Sequence, residues 1–305
     1  MMGKSEKKCL NQSLVDAKIK GDKANDSLPT KESLHQKHLS EFMDMLKEQT
    51  IMDDLLGSKI LDDEATLSEV LSRIVEKPLQ VVRREVQKSI QNLQGRGIRL
   101  DVLARDEKGK LYNIEVQRDD RGAVPQRARY NGAIIDSNFL PKGEDFGKLL
   151  EAYVIFITEN DVLKGDYQAY HIERMVKETG KPFDDGLHII YVNASKQEDS
   201  DMGRLVHDLT CADPDLMYST MLAERMRSFK FGEGVQEMKS TYESLIARGK
   251  EIGREEGREE GEKRKAREMS VGLCQKGFSI EIVAEVANTT VETIQKWLKE
   301  AEAAG

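Results

Sequence analysis

The stretch GIRLDVLARDEKGKLYNIEVQ, residues 97–117, constrains the fold more than any other. Two runs of alternating apolar and polar residues flank the turn-forming sequence DEKG, the pattern of a β-hairpin. Ile98, Leu100 and Val102 share one face of the first strand, and Asp101 points the other way. Tyr112, Ile114 and Val116 share a face of the second, with Glu115 and Gln117 opposite. A three-residue loop, Glu107-Lys108-Gly109, with Gly109 left-handed, pairs Asp106 with Lys110 and so sets Asp101 directly across from Glu115. Side chains opposed in this way have Cβ atoms about 4.5–5.5 Å apart, and like charges there repel. A hard divalent cation such as Mg2+ relieves the pair, because it takes carboxylate oxygens and keeps several waters. A solvated strand face with Lys or Arg neighbours relieves it equally well. The pattern by itself leaves both open.

Periodicity on either side of the hairpin predicts an α/β domain with a mixed sheet. Phe42, Met45 and Leu46 give a short helical stripe. Leu67, Val70, Leu71, Ile74 and Val75 recur at i, i+3, i+4, i+7 and i+8 and predict an amphipathic helix that Pro78 ends. Glu69 lies off that stripe, facing solvent or approaching the acidic face of the hairpin. Residues 79–92 supply a strand, and residues 126–140 a helix after Pro125. On that helix Arg127, Tyr130 and Ile134 share a stripe; Arg127 and Arg129 offer forks of donors matched to phosphate oxygens, or sit on the surface over the sheet edge. EAYVIFITE (151–159) and LHIIYVN (187–193) are near-continuous apolar runs, as expected of strands covered on both faces.

The remaining segments divide the chain. Residues 1–35, polar and without periodicity, read as a mobile tail, and 36–240 as the main domain. Leu216, Met217, Met221, Leu222 and Met226 form a further stripe. Residues 241–270, with the Gly-Arg-Glu-Glu repeat at Gly253 and Gly257, predict a flexible, partly helical connector: Glu and Arg at i,i+3 and i,i+4 support a helix that the glycines weaken. Residues 271–305 read as a small helix-turn-helix-like module. Val271, Leu273 and Cys274 begin its first helix, Ser279 caps the next, and Thr289 and Glu292 form a capping box before Ile294, Trp297 and Leu298. Its last helix, VETIQKWLKE, has few groups suited to reading bases, so oligomerisation or docking fits it at least as well.

A net charge of −8 argues against a broad basic surface and leaves room only for a local basic groove. Cys9, Cys211 and Cys274 are far apart and form no zinc-binding spacing; they read as reduced thiols of a cytoplasmic protein. His35 and His38 stand at i,i+3 without a cysteine partner. Residues 1–8, MMGKSEKK, have no apolar core and predict no secretory signal, and no run approaches a membrane span. No Gly-rich phosphate loop supports an enzyme of small phosphates.

From Ile51 to about Ser240 the chain resembles the recombination-promoting nuclease/transposase branch of the PD-(D/E)XK nuclease superfamily. The resemblance rests on Ile51-Met52-Asp53-Asp54, Arg99-Leu100-Asp101-Val102, Tyr112-Asn113-Ile114-Glu115-Val116-Gln117, Arg127-Ala128-Arg129-Tyr130, Tyr153-Val154-Ile155-Phe156-Ile157 and Arg225-Met226-Arg227, in that order. It implies a restriction-endonuclease-like core, a mixed sheet flanked by helices, followed here by a helical C-terminal extension. It also implies Mg2+ or Mn2+ held by Asp101 and Glu115, and DNA as the substrate of an endonuclease associated with recombination or transposition. Gln117 then stands where the superfamily's Lys sits; it can position a water by hydrogen bonding but brings no positive charge. Arg127, Arg129 and Tyr130 become candidates for phosphate contact, and Glu69 for an outer-sphere acid. The alternative is a weak or inactive relative that works as an assembly or regulatory module, with homo-oligomerisation through its C-terminal helices.

Overall fold

The computed structural model describes residues 31–90, 98–118 and 120–302. The described residues divide between Asp44 and Met45 into two units. The expected N-terminal tail falls almost entirely outside the described residues, and from Lys31 the chain is helical (α1, Lys31–Glu48). Two short helices follow, α2 (Asp54–Ile60) and α3 (Glu64–Ile74). Asp63 starts α3 by accepting from the Thr66 backbone N at 2.8 Å and from its hydroxyl at 2.7 Å. The helix buries Leu67, Val70, Leu71 and Ile74, the stripe its spacing predicts.

The sheet comprises β1 (Val81–Ile90), β2 (Ile98–Asp106), β3 (Leu111–Gln117), β4 (Ala152–Thr158), β5 (Ala169–Ile172) and β8 (Leu187–Asn193), in the order β1-β2-β3-β4-β8-β5. A separate two-stranded ribbon, β6 (Met175–Val176) and β7 (Lys181–Pro182), precedes β8. β1, β2 and β3 form an antiparallel meander, while β3, β4 and β8 run parallel. The central hairpin has the predicted register: Val102 faces Ile114 and Arg105 faces Leu111. The Gly109 N–H donates to the Asp106 carbonyl at 3.0 Å, and Gly109 takes φ +84°, which its missing Cβ permits. Continuing the Val102–Ile114 register by one pair brings Asp101 opposite Glu115.

All seven residues of β4 are buried, as its unbroken apolar run requires. One face of the sheet is covered by α4 (Pro125–Phe139), whose Ala128, Ile134 and Ile135 join Leu103, Leu111, Val154 and Phe156 in one core. α4 lies close: a Cβ on Gly132 would come within 2.8 Å of Leu187 Cδ2. The other helices include α3, which lies against β1 and against α5 (Asp201–Thr210). α6 (Thr220–Phe231) packs on α2.

The C-terminal third departs from expectation in three places. The apolar stripe from Leu216 to Met226 is broken, because buried Asp208 accepts from the backbone N–H groups of Tyr218 and Ser219 at 2.8 Å each and turns the chain into α6. Leu222 and Met226 are buried, whereas Leu216 and Met221 are exposed. The predicted connector is one continuous helix, α7 (Val235–Gln275), and Val271, Leu273 and Cys274 end it instead of starting a new one. The ion-paired helix propensity of the Glu and Arg residues outweighs the glycines. α8 (Ile280–Val286) is capped by Ser279 as expected. α9 (Val291–Glu302) begins one residue late for the expected box, so Thr290, not Thr289, accepts from the Thr293 N–H at 3.3 Å. Val283, Ala284 and Ile294 form a small core there with Leu273, Trp297 and Leu298.

Candidate active site

Three of the expected site residues meet at the carboxyl end of β3. Period-2 alternation turns Glu115 and Gln117 toward the α4 face, together with Asp101 from the neighbouring strand β2. Asp101 Oδ2 accepts from the Val116 N–H at 3.0 Å, and Oδ1 takes no hydrogen bond among the described residues. Glu115 is fully buried. Its Oε1 accepts from Asn113 Nδ2 at 3.0 Å, and its Oε2 accepts from Arg127 Nη2. Burial pushes the Asp101 carboxyl up to about 6, with the Asp54 charge adding to the rise and the Val116 N–H, Arg127 and Arg99 opposing it. Burial, then the Asp101 charge, pushes Glu115 up to about 7 against the pull of Arg127 and Asn113. Burial is thus the largest cause disfavouring ionisation of both carboxylates.

Arg127 closes one side. Its Nη1 donates to the Gly122 carbonyl at 2.9 Å and to Gln117 Oε1 at 3.3 Å, and its guanidinium lies 5.9 Å from the centre of the Phe156 ring. With Oε1 so engaged, Gln117 has its NH2 to offer to a water or a phosphate oxygen. Gly122 makes this packing feasible, since a Cβ there would lie 1.9 Å from Gln117 Oε1.

The other expected residues separate. Arg129 is exposed, two positions and so about 200° around α4 from Arg127. Tyr130 is half-buried against the core beneath α4. Glu69 is held by Arg73 at 2.7 Å on its own helix and is not among the charges acting most strongly on Asp101. The acid that acts there from the helical layer is Asp54, the first residue of α2. Arg118 ties the start of that helix to the sheet, reaching Asp53 at 2.5 Å and Glu159 at 3.5 Å. The sequence marks Asp54 only within the stretch Ile51-Met52-Asp53-Asp54, without a role, and does not mark Arg118; only the tertiary fold brings Asp54 to β2.

The donor set fits a hard divalent cation. Two carboxylates stand on adjacent strands, both with raised pKa, and one has an oxygen without a donor. Among the described residues no group of three or more His, Cys, Asp or Glu side chains could share a metal. A hard divalent cation can bind through one or two carboxylates and complete its shell with water and phosphate oxygens.

No helix among the described residues is long and apolar enough to cross a membrane. No curated protein and no solved structure matches the chain. The family model described as PD-(D/E)XK nuclease family transposase matches residues 55–209, just over half of the 305 residues. That span contains Asp101, Glu115, Gln117 and Arg127, and the mixed α/β sheet with flanking helices is the fold such a core requires. The chain belongs to the PD-(D/E)XK nuclease family transposases.

Proposed function

We propose that the protein is a Mg2+-dependent DNA endonuclease, active also with Mn2+, that hydrolyses phosphodiester bonds in recombination or transposition. The supporting observation is the pairing of half-buried Asp101 and fully buried Glu115 on neighbouring strands, both disfavoured in their ionised forms, in a chain of a nuclease family. Asp101 and Glu115 would hold the cation. When bound, such a cation lowers the pKa of an attacking water and neutralises charge gathering on the phosphate. Gln117 orients the water through its NH2 group. Arg127 moves its guanidinium from Glu115 toward a phosphate oxygen, for which its fork of donors is equally matched. Asp54, exposed at the start of α2 and acting on Asp101 through its charge, would add negative charge beside a bound cation.

Plasmid nicking tests this reading. Supercoiled plasmid is incubated with the full chain and Mg2+, Mn2+, Ca2+ or EDTA, beside Asp101→Ala and Glu115→Ala. Metal-dependent nicking by the wild type, lost in both variants, is the expected result. Absence of nicking above the variants, with all three proteins folded, would favour the second reading: a nuclease-fold assembly or regulatory module acting through α8 and α9. The observation on that side is Gln117 in the place of a charged Lys.

A further inference from the structure

Helix α4 reaches Glu115 twice. Arg127 donates to Oε2, and one turn on, at i+4, Asn131 reaches Oε1 through an intermediary. Asn131 Nδ2 donates to Asn113 Oδ1 at 3.2 Å, and Asn113 Nδ2 donates to Glu115 Oε1 at 3.0 Å and to the Val102 carbonyl at 3.4 Å. Asn113 is 0% and Asn131 1% exposed. The direction of this chain is fixed: an amide that donates at both steps must end on an acceptor, and Glu115 is that acceptor. Asn131 Oδ1, in contrast, is buried without a hydrogen-bond partner among the described residues. A buried carbonyl left unpaired is destabilising, so it offsets part of what the Asn131–Asn113 hydrogen bond contributes to stability.

We propose that Asn131, acting through Asn113, is a positioning residue that holds the Glu115 carboxylate in the orientation a divalent cation needs. This rests on the reading of Asp101 and Glu115 as cation ligands. A carboxylate gripped at one oxygen can still swing about its Cγ–Cδ bond, whereas one gripped at both is fixed in plane. Arg127 cannot fix Glu115 alone if it transfers to a phosphate. The amide chain then keeps the carboxylate in place, and it does so without adding a charge that competes with the cation. Outer partners that orient ligands in this way typically change metal affinity by about 10- to 100-fold.

The test is Mn2+ affinity by isothermal titration calorimetry, with the thermal midpoint measured without metal, on the full chain and its Asn131→Leu, Asn131→Asp and Asp101→Ala variants. Asn131→Leu removes the unpaired Oδ1 but takes the donor away from Asn113 Oδ1, so its thermal midpoint is expected to change little while it binds Mn2+ about tenfold more weakly. Asn131→Asp, which can only accept, draws the Asn113 amide away from Glu115 and is expected to lose at least as much affinity. Wild-type affinity in Asn131→Leu would overturn the proposal, and so would affinity lost in step with thermal stability, or failure of that variant to fold, since either marks a structural role. No Mn2+ binding by the wild type, or binding that survives Asp101→Ala, would remove the two-carboxylate reading itself and this proposal with it.

Discussion

Asp101 and Glu115 share a strand face where burial disfavours their ionised forms. Their folded pKa values, about 6 and about 7, lie above the ordinary carboxylate range, so the folded chain holds protons that the unfolded chain has released. Stability from these groups is fully present below about pH 4 and is lost as pH rises through 6 to 7. Urea unfolding should therefore show the wild type losing more stability than Asp101→Asn between pH 5 and pH 8, with added Mg2+ returning part of the loss to the wild type alone. Parallel curves for the two proteins would contradict this account of the pair. Gly122 poses the complementary residue-scale test. A Cβ there meets only the mobile end of Gln117, and Arg127 Nη1 at 3.5 Å. Gly122→Ala should change the thermal midpoint little, by less than about 1 kcal/mol of stability, while displacing the Gln117 amide and slowing nicking on the order of tenfold.

Elements were legible in proportion to how local their causes are. The hairpin's alternation, its Gly109 and hence the Asp101–Glu115 facing follow from about twenty consecutive residues, and the structure has the same register. β4 and β8 carried continuous apolar runs and were equally plain. The short strands β5, β6 and β7 had no such signal, since at two to four residues their pairing partners define them. The same holds at the site: Asn113 and Asn131 lie eighteen positions apart and meet only because α4 lies close on the sheet. Helix α7 was obscured by competing local propensities, and this yields a prediction at its own scale. A Cβ added at Gly253 or Gly257 meets nothing within 4 Å. Each Gly→Ala change there should add about 0.8–1 kcal/mol to helix stability, seen as slower loss of the 222 nm circular-dichroism signal on heating. No gain from the double variant would mean that α7 draws its stability from something other than its own backbone.

Across the whole second unit, one buried lysine joins distant segments. Lys230, 2% exposed on α6, donates from Nζ to the carbonyls of Lys47 at 2.7 Å, Gln49 at 2.5 Å and Ala212 at 2.6 Å. Burial holds its pKa below the usual lysine value, and the three acceptors make that burial tolerable. Lys230→Met would strand three carbonyls and should destabilise the unit by about 3 kcal/mol or more in urea unfolding. A loss under about 1 kcal/mol would show that these segments are held by their apolar contacts alone. The length of α7 has a consequence of another kind. Its start is anchored by buried Met238 and by the Lys59–Glu237 pair at 2.7 Å, and its end by Arg267, 3.1 Å from Glu300 of α9. Forty-one residues at about 1.5 Å each make a rod about 60 Å long, equal to some 18 base pairs of B-form duplex at about 3.4 Å per step. α8 and α9 are thereby held at a fixed reach from the first turn of α7, so that a strut, more than a tether, separates the two ends.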